Sequence, residues 1–109
     1  MNFFYFFFSQ PRVKVKFNYP IKFHEIRFYA RPDHIFDQNR YRNICLFLDG
    51  IQKDCTDPGL VTKPGDQIRI KSEMPEMASE AEIRFPSKSP GVVSELEIYY
   101  TFSEGKISV

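Results

Sequence analysis

No stretch of a dozen residues in this chain holds a helical period free of proline or strand formers, and that excludes a helical bundle. Apolar residues instead alternate over short runs, each closed by a Pro or Gly turn. Twelve Phe and 6 Tyr, with no Trp, bring the aromatic content to 17%, and 8 Pro and 5 Gly supply the punctuation. Aromatic side chains favour the pleated, half-buried surface of a strand, so the chain is predicted to be all-β. Its 109 residues leave room for one domain. Fifteen basic side chains against 14 acidic ones leave a formal charge of +1, not the basic surface that nucleic-acid binding requires. No apolar run approaches the roughly 20 residues of a membrane span, and no membrane insertion is expected.

Three regions divide the chain: an aromatic N-terminal segment over 1–12, a β-sandwich over 13–102, and a C-terminal tail over 103–109. The first contains six consecutive aromatics, Phe3 to Phe8. It reads in three ways: the hydrophobic part of a signal peptide, although no basic stretch precedes it; a strand buried in the fold or covered by a partner; or a truncated start.

Within the sandwich, Arg12 to Phe17 alternates strictly, with Val13, Val15 and Phe17 on one face and Arg12, Lys14 and Lys16 on the other. That basic stripe could grip an anion; a solvated face or a charged edge is the simpler reading. Asn18-Tyr19-Pro20 reads as a turn. From Ile21 to Ala30 the apolar phase slips, since Ile21 and Phe23 share one face and Ile26, Phe28 and Ala30 the other. One extra residue near His24-Glu25 accounts for the slip, which predicts a bulge or strand end there.

After the polar loop Arg31–Arg42, Asn43 to Leu48 is apolar on both faces, as in a central strand. Asp49-Gly50 is the strongest hairpin signal, and Ile51 to Cys55 is the return strand. Asp57-Pro58-Gly59 and Lys63-Pro64-Gly65-Asp66 are turns. Gln67 to Ile70 is a strand, Lys71 to Glu80 a Met- and Glu-rich loop broken by Pro75, and Ala81 to Phe85 a strand with Glu82 and Arg84 outward. Pro86 to Gly91 is a loop. Glu95 to Phe102 closes the series with Leu96, Ile98, Tyr100 and Phe102 inward. Short strands with turns throughout predict an antiparallel β-sandwich of jelly-roll type.

Chemistry is sparse. The chain has two histidines, His24 in a strand and His34 in the polar loop, and it carries no Gly-x-Ser-x-Gly, His-Glu-x-x-His or phosphate-loop pattern. With Cys45 and Cys55 they make four thinkable zinc ligands at spacings no zinc site uses, so neither a metal nor catalysis is expected. A two-residue Asp49-Gly50 turn places Cys45 opposite Asp54 and Cys55 opposite Ile44. A Cys45–Cys55 disulfide therefore requires a register shift of one residue, for example a three-residue loop with a bulge; otherwise Cys45 is a small buried hydrophobe and Cys55 is free or paired with another chain. The best polar cluster is Arg31, Asp33, Arg40 and Arg42. An arginine fork there can hold a hydroxyl pair or a carboxylate, or the aspartates can brace the loop.

Phe23-His24-Glu25-Ile26-Arg27-Phe28-Tyr29-Ala30-Arg31-Pro32-Asp33 resembles the strand-and-loop segment of galactose-binding-like sandwich modules, which include F-type (fucose-binding) lectins and discoidin-like domains. Asn43 to Gly50 is similar to their next core strand. Gly65 to Ile70, Ala81 to Phe85 and Val93 to Tyr99 resemble their last three strands in order. The resemblance runs from about Val13 to Tyr100 and implies a galactose-binding-like fold. Relative to such modules the front third looks absent, and with it the loops that usually hold calcium, so no cofactor is expected. Where the lectin motif has a histidine this chain has Phe4, and where it has a second basic residue this chain has Gln38, with Arg40 nearby. Of the sugar contacts only Arg31 carries over, with Asp33 as its companion.

The expectation is a non-enzymatic, extracellular or cell-surface recognition module for cell adhesion or lectin-like carbohydrate binding, with Arg31, Asp33 and Arg40 as candidate ligand-binding residues. The alternative is a structural protein–protein interaction domain of a larger surface protein, its partner a neighbouring domain or a second copy.

Overall fold

The computed structural model describes residues 2–7, 12–34, 36–86, 93–101 and 105–108. Seven strands form one antiparallel sheet: β1 (Asn2–Phe7), β2 (Arg12–Ala30), β3 (Cys45–Leu48), β4 (Ile51–Cys55), β5 (Gln67–Arg84), β6 (Val93–Thr101) and β7 (Gly105–Ser108). The order is β4-β3-β5-β2-β6-β7, and β1 lies against the first part of β2. Among the described residues of the loop between β2 and β3, Gln38–Tyr41 forms a 3-10 turn.

Two long strands carry the architecture. β2 and β5 pair along almost their whole length. The first part of β2 has β1 on its other side and the second part has β6, while β3 joins only the last residues of β5, Ala81 to Arg84. The sheet thus folds over along the β2–β5 ladder into a sandwich-like body. One continuous core fills it: Val13 and Val15 from early β2 belong to the same cluster as Ile26, Phe28, Ile44, Leu46 and Ile98. The Phe28 ring meets Phe85 edge-on at 6.5 Å between centroids, joining late β2 to the residue just beyond β5.

The apolar phase slip at His24-Glu25 is a register shift in both ladders of β2, so Phe23 and Ile26 both point into the core. Two other segments differ from the sequence reading. Asn18-Tyr19-Pro20 does not reverse the chain. It lies inside β2 as a bend where residues 17–20 stand opposite Ser79 alone, and a proline costs little where the ladder is already interrupted. Lys71 to Glu80 is strand, not loop. Ser72 to Pro75 bulge out opposite the single residue His24, which is why Pro75 breaks the local pattern without ending β5.

Glu82 also departs from its outward reading, being 2% exposed. Arg12 reaches one carboxylate oxygen at 3.1 Å and Arg84 the other at 2.9 Å, so two arginine stems cover it. Lys14 and Lys16 both pair with Glu80, at 3.6 and 3.9 Å. The basic stripe is therefore matched by an acidic one on β5. The loop beyond Pro86 and the side chain of Phe102 lie outside the described residues.

Candidate functional site

Backbone hydrogen bonds bring two loops to one end of the sheet. Ala30 donates to the Asp66 carbonyl at 2.9 Å and accepts from Gly65 N–H at 3.2 Å, which ties the end of β2 to the start of β5. Gly65 stands at φ +82°, the left-handed region its turn requires. Arg31 to Arg42 leaves from this junction, and Arg42 closes it by donating from Nε to the Leu60 carbonyl at 2.9 Å.

Tyr41 forms the floor. It is 1% exposed, its ring stacks on Phe36 at 5.6 Å, and its hydroxyl accepts from the Arg31 backbone N–H at 3.0 Å. Burial pushes the Tyr41 phenol up, and the Arg31 N–H and nearby positive charges partly oppose that. Beneath it, the buried Thr56 hydroxyl accepts from Ile44 N–H and donates to the Tyr41 carbonyl. An aromatic plug with a threonine latch thereby fixes a loop whose own regular structure, among the described residues, is one short helical turn.

On this floor the Arg31 guanidinium meets Asp33 through two bonds, Nε to Oδ1 and Nη2 to Oδ2, both at 2.8 Å. The pair sits on the rim, with the Arg31 side chain 27% and the Asp33 side chain 43% exposed. The Asp33 carboxylate holds the Arg31 guanidinium protonated above its already high ordinary value. Arg40 does not join them. It pairs with Asp37 at 3.7 Å, and the Asp37 carboxylate also caps the 3-10 turn by accepting from Asn39 N–H. The structure therefore unites Arg31 with Asp33 and leaves Arg40 on a separate ion pair of the same loop.

Cys45 and Cys55 are joined by a disulfide. The Asp49-Gly50 turn keeps two residues, both at positive φ, with Leu48 opposite Ile51. The register shift comes instead from Lys53, an extra residue between Gln52 (opposite Phe47) and Asp54 (opposite Leu46), and it carries Cys55 round to face Cys45. Among the described residues no group of three or more His, Cys, Asp or Glu side chains is placed to hold a metal ion.

Sequence reasoning missed Tyr41, Thr56 and Phe36. One signal was available for Tyr41: a large aromatic between Arg40 and Arg42 in an otherwise polar loop has few ways to avoid burial. No protein-family model, curated protein or solved structure matches the chain significantly.

Proposed function

We propose that this chain is a non-enzymatic extracellular recognition module of the lectin-like kind, built as a galactose-binding-like sandwich, that takes a glycan at the Arg31–Asp33 rim. The observation that carries this is the two-bonded Arg31–Asp33 pair standing partly exposed on a buried tyrosine floor. A carboxylate acceptor beside guanidinium donors is complementary to a pair of neighbouring sugar hydroxyls, and the pair is already ordered before a ligand arrives. The resemblance of Phe23 to Asp33 to the lectin segment supports the same reading. The Cys45–Cys55 disulfide fits an oxidising, extracellular setting.

Amide NMR of the labelled chain, titrated with L-fucose and with galactose, tests it. Saturable shifts confined to residues 31–42 are expected, unchanged by added calcium, and Arg31→Ala should abolish them while the spectrum stays dispersed. Shifts that survive Arg31→Ala, or an unresponsive loop in the intact chain, reject the glycan site.

One observation favours a second reading, a structural interaction domain of a larger surface protein with no small ligand. Arg31 and Arg40 are each matched by an aspartate of their own loop, which is what bracing alone would need.

A further inference from the structure

The early part of β5 has a bare side. Gln67 to Lys71 pair with β2 along one edge, from Gln67 opposite Tyr29 to Lys71 opposite Glu25. The other strand bonded to β5 is β3, which reaches only Ala81 to Arg84. Asp49 serves part of the remainder, its carboxylate accepting from Ser79 and Glu80 N–H. Lys53 of β4 touches down at Glu76, 2.8 Å away. Among the described residues no other strand pairs with Gln67 to Lys71, where alternate backbone N–H and C=O groups point away from β2. A groove lined by Lys53, Asp54, Lys71 and Glu73 opens beside its far end.

Side-chain chemistry says what this edge accepts. Ile68 and Ile70 point into the core, while Gln67, Arg69 and Lys71 stand exposed on the outer face. Arg27, opposite Arg69 on β2, is already taken: its guanidinium binds both oxygens of Glu25 at 2.9 and 3.2 Å and lies 4.0 Å over the Tyr99 ring. Glu25 is thereby committed and held below the usual carboxylate range, chiefly by its hydrogen bonds from Arg27. Arg69 has a neutral partner, donating from Nε to the Gln67 amide oxygen at 3.1 Å. Arg69 and Lys71 also lower the Glu25 carboxyl, which lies across the ladder from Lys71, and Asp54 and Glu73 balance the charge at the far end. With Glu25 held by Arg27, the excess positive charge of the outer row is centred on Arg69 and Lys71.

That row decides against a second copy of the chain. Antiparallel self-pairing centred on Arg69 would set Arg69 opposite Arg69, and like charges directly across a ladder repel. The bulge from Ser72 to Pro75 ends the flat edge after Lys71, so only a short segment fits. We propose that the Gln67–Lys71 edge is a strand-addition site for an extended acidic peptide segment, with carboxylates alternating along its outer face beside Arg69 and Lys71. The site adjoins the Arg31–Asp33 rim at Ala30 and Asp66 but uses none of its residues.

The oxidised full-length chain, isotope-labelled, is titrated with an acetylated, amidated peptide Glu-Val-Glu-Val-Glu-Val-Glu and with its Lys-Val counterpart. With the acidic peptide, amides from 67 to 71 should shift, and alternate ones among them should gain protection from hydrogen exchange. Binding should weaken on adding salt, and the Arg69→Glu/Lys71→Glu variant should lose at least about tenfold in affinity while keeping its dispersed spectrum. The Lys-Val peptide should leave the edge unshifted. Absent shifts at 67–71, equal binding of both peptides, or peptide-free dimerisation through this edge would each overturn the proposal.

Discussion

Both functions of the Thr56 hydroxyl are used, accepting from Ile44 N–H at 2.9 Å and donating to the Tyr41 carbonyl at 2.8 Å. Thr56 is itself buried, so a methyl in place of the hydroxyl strands two backbone groups away from water. Thr56→Val should therefore cost about 2–4 kcal/mol, seen as a lower urea midpoint at unchanged slope. A loss below about 0.5 kcal/mol would mean that another group takes over both bonds. The effect should also reach Arg31, whose backbone N–H rests on the Tyr41 hydroxyl, so the rim pair loosens although Thr56 touches neither of its members.

The β3–β4 hairpin shows how one residue sets a register. With Lys53 counted, Cys55 faces Cys45 across a two-residue turn. Removing Lys53 restores a regular ladder in which the same two cysteines still oppose each other. A chain lacking Lys53 should therefore still oxidise, its mass two hydrogens short of the reduced form, and should lose the Lys53–Glu76 ion pair. A free thiol count of two in that variant would show that the bulge itself is needed to align the sulfurs. Local chemistry made this hairpin readable: Asp49-Gly50 accepts positive φ at both centres, and a short apolar run leads straight into it. The slip at His24-Glu25 was readable from alternation, since a period of two exposes any extra residue. Ser72 to Pro75 was not. Glu and Pro are poor strand formers, and it is the long ladder with β2 that draws them into β5. Glu82 escaped because alternation tells which face a residue takes but not whether arginines from two strands will cover that face. At the rim, Arg31 and Asp33 were legible as a neighbouring pair, whereas Tyr41 and Thr56, fifteen residues apart, meet only through tertiary folding.

For the molecule as a whole, the core is one cluster spanning both ends of β2, both ends of β5, β3 and β6. Phe28 lies at its centre, fully buried and in edge contact with Phe85. Phe28→Ala should cost about 3–5 kcal/mol, a large part of the stability of a domain this small. Tyrosine absorbance and far-ultraviolet circular dichroism should then lose their signals at one shared, lowered midpoint. Separated midpoints would show that the two halves of the folded sheet melt as independent units.

The bends in β2 and β5 have a mechanical meaning. In a sandwich of two separate sheets, the layers meet only through side chains and can slide or part by giving up packing alone. Here the same two backbones run through both halves, bonded to each other on either side of the fold. Prising the halves apart means straightening a hinge made of paired strands, so the β2–β5 ladder acts as a spine. Compliance is left to what hangs from that spine away from the fixed rim loop: the outer hairpin and the far strands.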